Sequence, residues 1–125
     1  MIIGIGIDIV KTPRIESMLK KWKDNFMNRV FTQKEVDFCT RKRQPGQHFA
    51  IRFAAKEAFL KALGLGMTAG IPWKDIEITN NGIGMPLIEL HGKAGETCRK
   101  KNVKNVLVSL SHEGEYGVAQ VILEG

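Results

Sequence analysis

The stretch "RFAAKEAFLKALG", Arg52 to Gly64, does most to limit what this chain can become. It is rich in helix formers and predicts a helix over Phe49–Leu63, with Gly64 as its C-cap. At about 100° per residue, Ala54, Ala55, Ala58 and Ala62 share one flank, suited to close packing. Glu57 and Lys61 fall together on another flank. Arg52 and Lys56 form a second charged strip, with Phe53 and Leu60 between the two pairs. No broad polar face exists. A helix apolar on several sides is normally buried, and charges inside a protein must be paired or bound to something.

Two accounts fit those charges. Glu57 and Lys61, spaced i,i+4, make an ordinary helix-surface ion pair worth about 0.3–0.5 kcal/mol. Alternatively, one carboxylate among three cations suits a cleft for a divalent metal and a polyanion, the carboxylate taking the ion and the cations taking phosphate oxygens. Magnesium uses one or two carboxylates plus phosphates and water, and the candidate for a second is Asp8. Asp8 also reads as a strand-end aspartate bonded to backbone amides. It belongs to a strand over Ile3–Val10 in which Ile3, Ile5, Ile7 and Ile9 point one way and Gly4, Gly6, Asp8 and Val10 the other. Bare of side chains at Gly4 and Gly6, the second face lets another element or a ligand approach the backbone.

Thr12-Pro13 marks a helix start, with threonine as N-cap and proline at the first helical position, running on through "RIESMLKKW". "TQKE", Thr32 to Glu35, is a capping box opening a second helix, which ends near the basic loop "RKRQPGQ" with Pro45 and Gly46. After the third helix comes a glycine-punctuated loop, "GLGMTAG", over Gly64–Gly70. "WKDIEIT" and "PLIELHG" read as strands joined through an Asn81-Gly82 turn, and "GKAGETCRKKN" as a short, polar, exposed helix. "NVLVSLSH" and "YGVAQVIL" form a hairpin on "EGE". The order β-α-α-α-β-β-α-β-β predicts an α+β fold with a mainly antiparallel sheet, as one domain over residues 1–125.

"SLSH" places Ser109, Ser111 and His112 on one strand. Neighbours on a strand point to opposite faces, which argues against a Ser111–His112 dyad; a histidine at a strand end suits an anion contact or a turn cap. His48 and His91 have no comparable setting and receive no role. "GIGID" lies inside a strand, so its glycines are not a dinucleotide fingerprint.

The net charge of +6 is uneven: residues 1–48 hold ten Lys/Arg against five Asp/Glu, and the remainder nine against eight. Such a basic region suits an anionic partner, whether nucleic acid, acidic protein or membrane surface, or is simply a solvated face. No run approaches the roughly 20 apolar residues of a membrane span, and the N-terminus lacks the marks of a signal peptide. Cys39 and Cys98 have no metal-type spacing and read as free thiols of a cytoplasmic protein.

Three segments, "GIGIDIV", "RFAAKEAFLKALG" and "SLSHEGEYGVAQVIL", together resemble the holo-acyl-carrier-protein synthases, which are 4'-phosphopantetheinyl transferases. The resemblance spans nearly the whole chain. It implies transfer of phosphopantetheine from coenzyme A to a serine of apo acyl carrier protein, with release of adenosine 3',5'-bisphosphate. It implies further that Asp8 and Glu57 bind magnesium and that Lys61 serves the pyrophosphate and leaving group. Arg52, Lys56 and His112 match positions around the nucleotide phosphates, and Arg14 and Met18 match the docking face for an acidic carrier protein. The family is homotrimeric with active sites at subunit interfaces. One departure is visible: Gly84-Met85-Pro86 stands where many relatives carry Gly-Lys-Pro.

The main rival is a basic nucleic-acid-binding domain, prompted by a pI near 9.5. It predicts exposed aromatics interleaved with basic residues. Trp22, Phe26, Phe31 and Phe38 are instead mostly spaced as core residues of amphipathic helices, and the rival leaves Asp8 and Glu57 unexplained. A second rival, a catalytically dead homologue that only binds carrier protein, conflicts with the presence of both carboxylates and Lys61.

Overall fold

A computed structural model describes residues 1–65 and 70–125. Of the expected glycine loop, residues 66–69 lie outside the described residues. The elements are β1 (Ile2–Lys11), α1 (Thr12–Val30), α2 (Gln33–Thr40), α3 (Pro45–Ala62), β2 (Ile76–Asn80), β3 (Pro86–Leu90), α4 (Gly92–Lys100), β4 (Asn105–Glu113) and β5 (Tyr116–Glu124). A 3₁₀ turn, Trp73–Asp75, precedes β2. The fold is α+β in the expected order, and all pairings are antiparallel. They form two sheets: β1-β5-β4, and the hairpin β2-β3.

Helix α3 is the centre of the fold and packs against β1, β5, β4, α1, α2 and β2. From Phe49 to Ala62 only Glu57 and Lys61 escape burial. The bare face of β1 is what lets α3 come so close. A Cβ added at Gly6 would lie 1.9 Å from the Ala58 carbonyl oxygen, and one at Gly4 equally close to that of Ala62. The alanine flank of α3 therefore rests directly on the strand backbone, while Gly117, Ala119, Val121 and Leu123 of β5 complete the buried floor. The isoleucine face of β1 points the other way: Ile5, Ile7 and Ile9 are each about 60% exposed in the single chain.

Boundaries differ from the sequence reading in several places. Helix α3 starts at Pro45, within the segment read as loop, because proline's fixed φ suits a first helical turn. Lys11, not Thr12, is the N-cap of α1, and it supplies no side-chain cap; the Thr12 amide donates to Glu115 O at 2.7 Å instead. Helix α1 also runs on to Val30 across a break at Lys23, whose φ is 41°. Helix α4 is not wholly exposed, since Ala94 and Cys98 are buried. The α2 capping box is present as read. At the end of α3, Gly64 has φ +74° and donates to Lys61 O while Leu65 donates to Leu60 O, a Schellman closure. Among the described residues no helix is long and apolar enough to cross a membrane.

Candidate active site

Two sites come from the way α3 crosses the sheet. At the β1 edge, Asp8 follows the bare Gly4–Gly6 stretch on the same face and meets Glu57 of α3. The Asp8 side chain is 11% exposed and accepts from Lys61 Nζ at 2.9 Å; Lys61 Nζ also donates to Ile7 O at 3.1 Å. Lys61 thus pairs with Asp8 across elements and not with Glu57 along the helix. The Glu57 carboxyl is pushed up to about 7, first by burial and then by its hydrogen bond to Asp8 and the charge of Asp8. Lys61 and Arg14 pull it down by a smaller amount. Two carboxyl groups this close hold either a proton or a cation between them, so the pair fits a hard divalent ion. A triad of metal-type ligands whose atoms lie within 4.8 Å of one another, Glu77 on β2, Glu89 on β3 and His91 just before α4, stands apart from this pair.

Toward the other edge of the sheet, α2, α3, β4 and the β2-β3 hairpin enclose a cleft of about 520 Å³. Arg52 and His112, both picked from sequence, line it together. Arg52 is almost fully buried. Its Nη2 donates to Asn80 Oδ1 at 2.8 Å, its guanidinium lies 4.1 Å from the centroid of the Phe38 ring, and its Nε has no hydrogen-bond partner among the described residues. A buried guanidinium with an unmet donor beside an open cleft is suited to an anion. Lys42, from the turn after α2, and His48, in the first turns of α3, line the same space, and no carboxylate does among the described residues. Met85, the residue that departs from the Gly-Lys-Pro of the resemblance, also lines the cleft.

Lys56 is not brought to either place. It is fully buried, and its ammonium donates to Glu35 Oε1 at 2.8 Å, Trp73 O at 3.1 Å and Ile76 O at 2.6 Å. Those three bonds engage all three of its protons and leave none for a phosphate. Burial pulls the Lys56 pKa down and the Glu35 carboxylate works against that. Glu35 accepts in addition from the Thr32 and Ile78 amides, so the capping-box glutamate is also the core anion that holds α2, α3 and β2 together. On α1, Arg14 is exposed and near enough to Glu57 to act on it, whereas Met18, one turn on, packs partly against the core.

Sequence reasoning missed Phe38, Lys42, His48 and Asn80. They converge from three separate segments, and no local pattern marks them.

The family model described as the 4'-phosphopantetheinyl transferase superfamily matches residues 4–121. A holo-[acyl-carrier-protein] synthase of Syntrophus aciditrophicus is 47% identical over 125 residues, covering 100% of this chain and 98% of the relative. The chain belongs to the holo-[acyl-carrier-protein] synthases. The solved structure of the synthase from Neisseria meningitidis superposes with a TM-score of 0.91 at 34% identity, over 100% of both chains. That of Helicobacter pylori, described in complex with coenzyme A, gives a TM-score of 0.85 at 33% identity over 96% of this chain and 99% of that one. This synthase is therefore an enzyme of the phosphopantetheinyl transferase class.

Proposed function

We propose that this synthase transfers 4'-phosphopantetheine from coenzyme A to a serine of an acidic apo acyl carrier protein, with magnesium, and releases adenosine 3',5'-bisphosphate. The observation that carries the reading is the Asp8–Glu57 pair, two carboxyl groups in hydrogen-bond contact with Lys61 beside them. Bound there, magnesium would screen the pyrophosphate charge. The residues do the rest by position. Lys61, 56% exposed, reaches from Asp8 toward solvent and can turn its remaining donor to the leaving phosphate. The cleft of Arg52 and His112 takes the nucleotide phosphates. The serine oxygen forms a P–O bond as the pyrophosphate P–O bond breaks, and the serine proton passes to a carboxylate oxygen of the pair or to water beside it. Arg14, next to Glu57, and Met18 give the carrier protein its docking face, and that encounter weakens with salt.

A homotrimer with shared sites fits the same geometry. Asp8 lies on β1 and His112 on β4, the opposite edges of one sheet, with α3 across the face between them. On the outer face Ile5, Ile122 and Leu107 stand in one cross-strand row, continued on β1 by Ile7 and Ile9. That apolar row suits a second copy of the chain, and a ring of copies brings the cleft of one toward the carboxylates of the next. Buried free thiols at Cys39 and Cys98 suit a reducing cytoplasm.

The test is intact-mass spectrometry of an apo acyl carrier protein incubated with the synthase, coenzyme A and magnesium, beside an EDTA control. The expected result is a gain of one phosphopantetheine, only with metal. Equal gain in EDTA overturns the metal role, and no gain with several apo carriers overturns the reaction.

A further inference from the structure

His48 faces the nucleotide cleft one helical turn before Arg52, and its surroundings are one-sided. Its ring meets Phe38 edge-on at 6.0 Å between centroids. The charged or titratable groups that act on it come from three of the four walls, Lys42 after α2, Arg52 on α3 itself and His112 on β4, while the hairpin wall supplies only Asn80, Gly84, Met85 and Pro86. No carboxylate lines the space among the described residues. Burial comes first and these three groups next in pulling the imidazole below its ordinary range, so the open cleft keeps His48 neutral. An arriving phosphate reverses the local field. The cations that disfavoured a proton on His48 are then offset, and the imidazole gains an acceptor for a charged N–H.

We infer that His48 is a further phosphate-binding residue of this synthase and that it takes up a proton as the coenzyme A nucleotide enters the cleft. This rests on the reading of the cleft as the nucleotide site. The role belongs to this chain's own cleft: His48 lies in no motif that carried the resemblance, and Met85 leaves the cleft without the cation of the usual Gly-Lys-Pro. A half-buried histidine that charges only on binding supplies positive charge without adding repulsion to the empty site.

Calorimetric titration of coenzyme A into the synthase, without magnesium, at pH 7.0 in two buffers of different ionisation enthalpy counts the protons. The wild type is expected to take up about half a proton more than His48→Gln. Between pH 7.5 and pH 6.5 the dissociation constant of the wild type should tighten about threefold relative to that of His48→Gln. Release from a phosphate monoester, whose second pKa is about 6, has the opposite sign and is common to both proteins, so the difference between them isolates His48. Dephospho-coenzyme A separates the sources: uptake lost with it assigns His48 to the terminal monoester, and uptake kept assigns it to the pyrophosphate. Either result supports the inference. Coenzyme A bound with the same proton count in the wild type and in His48→Gln overturns it while leaving the nucleotide site in place. No binding at all overturns the nucleotide site and the inference together.

Discussion

Replacing Lys56 by methionine separates a structural lysine from a phosphate ligand. Methionine keeps most of the side-chain volume, so the substitution removes charge and hydrogen bonds with little loss of packing. What remains is the Glu35 carboxylate in a site with no exposure on either side chain, and two carbonyls, Trp73 O and Ile76 O, without the donor they had. Breaking a buried ion pair from one side destabilises by about 3–5 kcal/mol. Glu35 keeps the Thr32 and Ile78 amides, which places the loss near the lower end, at about 3 kcal/mol. With a urea m-value of about 1.5 kcal/mol/M, the unfolding midpoint should fall by about 2 M at matched protein concentration. Tryptophan fluorescence reports it, since Trp73 sits on the broken contact. The double variant Glu35→Gln with Lys56→Met should recover part of the loss. For the folded protein, KM for coenzyme A should stay within about twofold, because no proton of Lys56 faces the cleft. A midpoint shift below about 0.5 M together with a tenfold rise in KM would refute the reasoning, since Nζ would then be leaving Glu35 for a phosphate.

Three further outcomes follow from other parts of the structure. Burial and then Asp8 push the Glu57 carboxyl up to about 7, so below that pH a proton competes for the site: half-saturating magnesium should rise by up to about tenfold per unit as pH falls from 7 to 6 and change little above 8, and a flat profile removes Glu57 from the metal set. Gly6→Ala drives a methyl to 1.9 Å from the Ala58 carbonyl and should cost about 3 kcal/mol, with transfer falling further than stability because Asp8, two residues on, shifts from Glu57; an unchanged melting temperature counts against the close contact. Ile7→Lys places a charge on the outer apolar face and, on the proposed trimer, should leave only monomer in sedimentation, whereas a variant that sediments like the wild type counts against this face as the interface.

The fold was legible where the pattern was one-dimensional. The alternation Ile3–Val10 gave β1, and the lack of a polar face gave the buried α3. Period two says that a strand has two faces but not which one meets the core. Here the bare face won, because only glycine lets a helix backbone lie against the strand, and the isoleucines were left outside. The Asp8–Glu57 pair was readable because each carboxylate stood out against apolar neighbours. The direction of Lys56 was not. Its partner is a capping-box residue 21 positions away, already given a local role, and nothing in either segment says that they meet. The cleft was the least legible part, for it is assembled from α2, α3, β4 and a hairpin tip whose only common property is location.

The contact between Gly4–Gly6 and α3 also bears on how the sequence can drift. Most active sites inherit their spacing from a layer of core side chains, and each substitution in that layer moves the site a little. Here the two carboxylates hang from a strand and a helix that touch backbone to backbone. No side chain sits in the gap as a spacer. A change of volume at core positions such as Phe49, Phe59 or Leu123 therefore acts first on stability, and it reaches the separation of Asp8 from Glu57 only by moving the helix against the strand. In a mutational library, core positions should tolerate apolar replacements of similar volume, whereas Gly4 and Gly6 should tolerate none.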